Sequence, residues 1–420
     1  MFPEYGVSTW IIGRKAGHLF GEEIPDLSTS NDHKVICPCS TSTPSQDLEV
    51  FHKLSCIAKE NTIMVAANIA DKQPCDRSND PNCPENDFYQ FNTEVVFNKT
   101  GCLVAKYHKY NLFLSEKLTF DVPRKPQHVF FDTEFGGFGL MVCFDAVFKS
   151  PAIDLVTLYN VTDIIFSTAW MNVYPHFVSV GYHSGWARTL KVNYLSANIH
   201  FVPGRLVGSG IYSPRGILAY TYQLGSKEGH LAIAKVPIKN KVPETSSIMK
   251  SQSTPPRSAF NASENSLQFS NEVFGDKFSF KPLTGNMGNL SLCSGSVCCQ
   301  VEFERSPAGG EHFALGVFNG MHQLEGKYFL EVCLLVQCVN STNCGNVRVK
   351  QTSTTFQHYK LSGYMNTHYA FPEVLTPTFD FNTTWEFADL GKTKIISDSN
   401  ATITTVVLMG RNFDKDPKNN

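Results

Sequence analysis

The stretch Phe135–Pro151, FGGFGLMVCFDAVFKSP, limits the possible folds more than any other part of the chain. From Phe138 to Val142 every residue is apolar or Gly, and the run ends at Cys143, followed by Phe144 and Asp145. Ala146-Val147-Phe148 can carry a helix forward. The pattern predicts a buried strand, a sharp turn at Cys143 and the first turn of a helix. A thiol so placed faces helix N-terminal N–H groups, which favour both a thiolate and a neighbouring oxyanion. The same residues also suit a core strand in which Cys143 is only a small hydrophobe.

Cysteine usage separates these possibilities. The chain has 13 Cys, several closely spaced (Cys75/Cys83, Cys293/Cys298, Cys338/Cys344), which suggests short disulfide-closed loops formed in an oxidising compartment. Zinc competes as an explanation, but no C-x-x-C pair exists and Cys37-Pro-Cys39 is too short, so no metal site is expected. Seven N-x-S/T sequons, at Asn98, Asn160, Asn261, Asn289, Asn340, Asn382 and Asn400, also point to the secretory route. An odd total leaves one thiol over, and Cys143, remote from the clusters, is the candidate to stay free.

At 420 residues two domains are expected. With 36 basic and 38 acidic residues and no long run of either sign, a nucleic-acid partner is disfavoured. No 18-residue apolar span occurs, so no transmembrane segment is expected. Met1 is followed at once by Phe-Pro-Glu, not by a signal peptide, and the C-terminus has no apolar anchor tail. Such a composition without an export signal suggests a sequence missing its beginning.

Along the chain, residues 13–47 read as surface loop and Leu48–Glu60 as an amphipathic helix. Strands are expected at Thr62–Ala70, Thr93–Phe97, Leu103–Tyr107, Val129–Asp132, Val161–Thr168 and Val192–Ile199, with a helix at Ser184–Lys191. Gly208–Pro214 reads as a turn into a strand near Ile217–Tyr222, and His230–Val236 as a last strand. Strands alternating with helices over 48–236 predict an α/β layered domain. Residues 241–266, rich in Pro, Ser and Thr, read as a linker. Short alternating strands from Leu267 to Phe413 predict a β-sandwich or meander. Serine, zinc-protease and Walker-type phosphate chemistry lack their motifs: neither G-x-S-x-G nor H-E-x-x-H nor a Walker loop occurs.

Four segments in one order, Phe2-Pro3-Glu4-Tyr5-Gly6, Lys109–Glu116, Gly139–Asp145, and Asn198 with Gly208-Ser-Gly210, together resemble the nitrilase (carbon-nitrogen hydrolase) superfamily. Tyr107-His-Lys-Tyr-Asn-Leu-Phe113, Thr168-Ala-Trp-Met-Asn172, Cys293-x4-Cys298-Cys299 and Phe371-Pro-Glu-Val-Leu375 are similar to its vanin/biotinidase branch. The resemblance implies an α/β fold: a nitrilase-type α-β-β-α sandwich at 1–240, whose first strand-helix-strand unit is missing. A linker at 241–266, a smaller vanin-type β domain at 267–413 and a tail at 414–420 would come after it.

It further implies that Glu4 is the general base and acid, Lys109 the cationic stabiliser and Cys143 the nucleophile. Glu116 would be an accessory carboxylate and the Phe144 N–H an oxyanion donor. Trp170, Met171 and Tyr212 are candidates to line the substrate and equally candidates for core packing. The implied partner is a small-molecule amide, most simply pantetheine, cleaved without cofactor or metal. The alternatives are a biotin-amide hydrolase and an inactive secreted binding protein.

Overall fold

The computed structural model describes residues 1–8, 13–27, 35–40, 46–238, 268–307, 310–345, 352–381, 384–389 and 393–418. The expected linker at 241–266 and the sequons at Asn261 and Asn382 lie outside them. The chain divides into two compact units. The first comprises Met1–Trp170, Val192–Ile211 and the stretch from Leu218; the second comprises Met171–Lys191, Tyr212–Ile217 and the C-terminal part.

The first unit begins with a short helix α1 (Arg14–Phe20), where the residue pattern predicts loop. It has no side-chain cap and leaves Leu19 and Phe20 exposed, so neither a start signal nor an apolar face announces it in the sequence. Helix α2 (Glu49–Asn61) falls where its periodicity predicts, burying Phe51, Leu54 and Ala58. Each large side chain so buried contributes about 1.5–3 kcal/mol. The unpaired N–H groups at its start, Val50 and Phe51, donate to the Glu22 carboxylate at 2.7 and 2.8 Å. At its end Thr62, in the left-handed region at φ 54°, turns its N–H back onto Ala58 and Lys59.

Strands β1 (Val65–Pro74), β2 (Phe88–Phe97) and β3 (Leu103–His108) form an antiparallel sheet in that order. Next comes a six-stranded mixed sheet, in the order β4 (Phe130–Thr133), β5 (Gly136–Val142), β6 (Asp163–Thr168), β7 (Asn193–Asn198), β8 (Ser209–Ser213) and β9 (Gly216–Thr221). Between β5 and β6 lies a single turn of helix, α3 (Asp154–Thr157). The pairs β5–β6 and β6–β7 are parallel, setting Val142 opposite Ser167 and Thr168 opposite Asn198. Side chains join the two sheets: Ser167 Oγ donates to Glu94 Oε1 at 2.8 Å, and Tyr107 Oη to Asp145 Oδ2 at 2.8 Å. This is the layered α/β arrangement that the resemblance implies. Residues 230–236, expected as a strand, have no regular structure; Leu231 and Ile233 are largely exposed and no sheet edge pairs with them.

Among the described residues the second unit contains helix α4 (Ser179–Leu190) and eleven strands. These are β10 (Phe269–Val273), β11 (Asp276–Pro282), β12 (Met287–Ser294), β13 (Val297–Arg305), β14 (His312–His322) and β15 (Tyr328–Cys338), then β16 (Phe356–Tyr364), β17 (Ala370–Leu375), β18 (Glu386–Asp389), β19 (Thr393–Ser397) and β20 (Thr405–Arg411). They form one sheet in the order β10-β11-β14-β15-β20-β17 and another in the order β12-β13-β16-β19-β18. Val301, Phe303, Leu315, Leu335, Leu361 and Leu408, drawn from both sheets, make the sandwich core. The Glu373 carboxylate of β17 accepts the N–H groups of Phe177 and Val178 at the start of α4, both at 3.2 Å.

Six disulfides join Cys37–Cys102, Cys39–Cys56, Cys75–Cys83, Cys293–Cys298, Cys299–Cys333 and Cys338–Cys344. Typical values of about 2–4 kcal/mol each make them a large share of the stability of such a fold, and they suit a secreted protein. Among the described residues no helix is long and apolar enough to cross a membrane.

Candidate active site

Cys143 is the one free cysteine of the described residues; the other twelve are paired. It terminates β5 at φ 45°, a left-handed conformation that costs a non-Gly residue roughly 1–3 kcal/mol. The chain then makes a single 3-10 turn, Cys143–Val147, in place of the expected α-helix. Asp145 holds this turn. Its Oδ2 accepts the Val142 N–H at 3.0 Å and the Tyr107 hydroxyl at 2.8 Å, and its Oδ1 accepts the Asn111 N–H at 2.9 Å and side-chain amide at 2.8 Å. One buried carboxylate thereby ties the thiol's turn to the segment carrying Lys109. Phe144 is buried, its ring edge-on to Phe113 and Phe148.

Lys109 comes directly after β3 and is 1 % exposed, although a Lys just past a strand end is usually solvated. Its ammonium lies 2.8 Å from Glu4 Oε1 and 2.6 Å from Glu116 Oε2. Glu4, also 1 % exposed, accepts the Ala169 N–H on its other oxygen at 2.9 Å. Glu116 further accepts the Phe113 N–H at 2.6 Å and the Tyr5 hydroxyl. Four residues at positions 4, 5, 109 and 116 thus close into one buried network.

The electrostatics arise from burial and from one cation shared by two carboxylates. Burial drives the Glu4 carboxyl up against the pull of Lys109, to about 7. Glu116 is desolvated too, but Lys109 and its other donors hold it below the usual carboxylate range. For Lys109 burial acts downward, yet Glu116, Glu4 and Cys143 together carry it upward, so it stays charged. Burial and the Glu4 charge push the Cys143 thiol well above its ordinary value, with Lys109 only partly opposing them. The short turn and the ammonium favour the anion, while desolvation and the Glu4 charge work against it.

Thr168 stands next to Cys143 by the β5–β6 register. Its hydroxyl is fully buried, and its hydrogen bond to the sulfur works in favour of the anion. Asn92, on β2, donates its amide to both Glu4 and Glu116 at 2.8 Å. Sequence motifs alone do not single out Thr168, Asn92 or Tyr5 as members of the site. Tyr5 adjoins Glu4 in the chain, and an Asn inside a β-branched, apolar run such as FNTEVVF is the one hint that could have drawn attention to position 92.

Of the expected substrate-lining residues, Trp170 is buried, with its N–H donating to Asn198 Oδ1 at 2.8 Å. Met171 and Tyr212 belong to the second unit; Met171 is exposed and Tyr212 fully buried, its ring against His183. Among the described residues the only cluster with metal-ligand spacing, Cys39, Cys56 and Glu60, contains a disulfide and so lacks free thiolates.

The chain is similar to known proteins. Residues 1–176 match the carbon-nitrogen hydrolase family and residues 267–416 the vanin C-terminal domain. The chain is 38% identical to the pantetheinase of Homo sapiens over 419 residues, covering 99% of this chain and 79% of that protein. It is 32% identical to the biotinidase of Homo sapiens over 450 residues, covering 99% and 80%. An amidase from Nesterenkonia sp. aligns in structure with a TM-score of 0.37 at 20% identity, over 47% of this chain and 70% of that one. With near-complete coverage at such identity, and with both parts matched in order, the chain belongs to the vanin family of carbon-nitrogen hydrolases.

Proposed function

We propose that the chain hydrolyses a linear amide through a thioester on Cys143, with pantetheine as the amide and pantothenate and cysteamine as products. The observation that carries this reading is the buried Lys109 ammonium, clamped between Glu4 and Glu116, in one electrostatic unit with the free thiol. Since the thiol lies far above Glu4 in proton affinity, no thiolate forms in advance; Glu4 takes the proton as sulfur attacks the amide carbon. The charge growing on the carbonyl oxygen meets Lys109 and the Phe144 N–H. Glu4 then returns the proton to the amine as the C–N bond breaks. Water, deprotonated by Glu4, attacks the thioester; the acid leaves and the thiol is restored. Glu116 keeps Lys109 charged throughout.

The higher identity to pantetheinases than to biotinidases supports pantetheine over a biotin amide, though the same side chains serve either. We retain Trp170, Met171 and Tyr212 as candidate lining residues. We also assign 1–240 as the catalytic domain, with 267–413 as the β domain. Six disulfides and the exposed sequons at Asn160, Asn289, Asn340 and Asn400 support a location outside the cell or in the secretory pathway.

The test is release of a chromogenic amine from a pantothenate amide, run beside a biotin amide, with the wild type and Cys143→Ala. The expected result is turnover by the wild type only, faster on the pantothenate amide. Equal rates for both proteins end the enzyme reading, and a preference for the biotin amide transfers it to the second substrate.

A further inference from the structure

The two carboxylates share one more partner that carries no charge. Asn92 is 1 % exposed. Its Nδ2 lies 2.8 Å from Glu4 Oε1, 2.8 Å from Glu116 Oε1 and 3.3 Å from the Tyr5 hydroxyl. Its backbone oxygen accepts the Lys109 N–H at 2.8 Å. One residue therefore bonds to both carboxylates through its side chain and to the Lys109 backbone through its carbonyl. Carboxylate oxygens tolerate only the NH₂ end of a neighbouring amide, so the orientation of Asn92 is dictated by chemistry. Asn68 on β1 enforces it from behind: its Nδ2 donates to Asn92 Oδ1 at 2.6 Å and to the Thr93 oxygen at 3.3 Å, while its Oδ1 accepts the Tyr5 N–H at 3.3 Å.

We infer that Asn92 is a positioning residue for the hydrolysis and that Asn68 sets the direction of its amide, so that Glu4 is held beside Lys109 by a donor that adds no charge. This rests on the reading of Glu4 as proton carrier. A cation at position 92 would hold both carboxylates ionised, and a carboxylate there would repel them. A neutral donor fixes Glu4 in place and leaves its proton exchangeable. The groups facing Glu4 are Lys109, Glu116, the Cys143 thiol, the Tyr5 hydroxyl and, more remotely, Glu94 on β2. Among these, Glu116 and Tyr5 are also bonded to Asn92.

Asn68→Asp perturbs the amide without touching Glu4, Lys109 or Cys143, and Asn68→Ala beside it separates the amide's orientation from the charge the aspartate adds. An aspartate at 68 only accepts, so it takes the Asn92 NH₂ and turns the Asn92 oxygen toward Glu4 and Glu116. Both carboxylates lose a donor and gain a repulsive neighbour, which raises their proton affinity. Two quantities are measured against pH: kcat/KM on the pantothenate amide, and the rate of Cys143 alkylation by iodoacetamide. The second is specific because the other twelve cysteines are disulfide-bonded. The acid limb of both is expected to move upward by about one pH unit or more, a tenfold change in proton affinity, with KM altered less than about threefold.

A variant that melts cooperatively and loses activity equally at all pH, with neither limb moved, overturns the inference and leaves Asn92 a structural residue only. If Asn68→Asp does not melt cooperatively, Asn68→Ala carries the test. It removes the orienting donor without adding charge, and a shift of at least about half a unit is expected. A moved alkylation limb in a protein whose wild type turns over no amide refutes the proposed function and leaves the positioning role standing.

Discussion

Replacing Lys109 by Met tests the site as an electrostatic unit. Met keeps the length of the buried chain and removes the ammonium, which lies 2.8 Å from Glu4 and 2.6 Å from Glu116 with none of its side chain exposed. Breaking a buried ion pair by removing one partner costs about 3–5 kcal/mol, because the other charge is left uncompensated. Here two carboxylates are left, and they escape most of that penalty by taking up protons. The deficit should therefore depend on pH.

In the wild type Glu116 sits below its unfolded value, so its contribution is present above the ordinary carboxylate range and lost as pH falls. In Lys109→Met both carboxylates lie above their unfolded values. Their folded forms then hold extra protons, and stability is present at low pH and lost as pH rises. The two slopes oppose each other, so the gap between the proteins is widest above pH 7 and smallest toward pH 5. Urea unfolding at pH 5 and pH 8 reads the difference: about 3–5 kcal/mol is expected at pH 8 and clearly less at pH 5. Activity on the pantothenate amide should fall by about a hundredfold to a thousandfold, the usual loss for one oxyanion donor. A deficit equal at both pH values, or activity within tenfold of the wild type, refutes the reasoning.

Glu4, near 7, should make kcat/KM rise with pH through that region as the base is freed, and Glu4→Gln should abolish the limb along with turnover, measured in the same amine-release assay. Thr168→Val removes the hydroxyl beside the sulfur without changing its shape; the pH profile of iodoacetamide alkylation should shift upward while the melting temperature changes little. Asp145→Asn replaces one acceptor by an NH₂ that confronts two of the four donors on that carboxylate. A loss of about 2–4 kcal/mol is expected by urea unfolding, from unpaired buried N–H and O–H groups. Glu373, buried and pushed up to about 8, binds a proton more tightly folded than unfolded, so its stabilisation is present at low pH and lost as pH rises through 8. The stability deficit of Glu373→Gln relative to the wild type should consequently be larger at pH 5 than at pH 8.5, by thermal melting across that range.

Local patterns are legible wherever burial tracks a repeat. The strands at 103–108 and 163–168 and the helix at 49–61 lie near their expected bounds, because alternation and 3.6-residue spacing report directly on which face is buried; the strand expected at 93–97 ends as expected but begins earlier, at Phe88. Helix α1 is not legible, since it lacks caps and an apolar face. Residues 230–236 have the composition of a strand but find no partner, and β propensity without an edge to pair with leaves the chain irregular. The burial that raises the thiol's proton affinity is likewise not legible: a helix end and a nearby Lys can be inferred from spacing, whereas the degree of desolvation cannot.

Taken alone, the sequence determined the parity of its cysteines and the lone thiol at the end of an apolar strand. It also determined, through motif resemblance, which acid and which Lys accompany that thiol. Only the tertiary structure decided that Lys109 is buried between two carboxylates, that Asn92 and Asn68 stand behind them, and that burial raises the proton affinity of the sulfur. Periodicity and motifs record what each residue does along its own strand. The protonation of a buried cluster depends on the distances and desolvation that arise when β1, β2, β3 and the end of β6 converge, and no single stretch of chain encodes these.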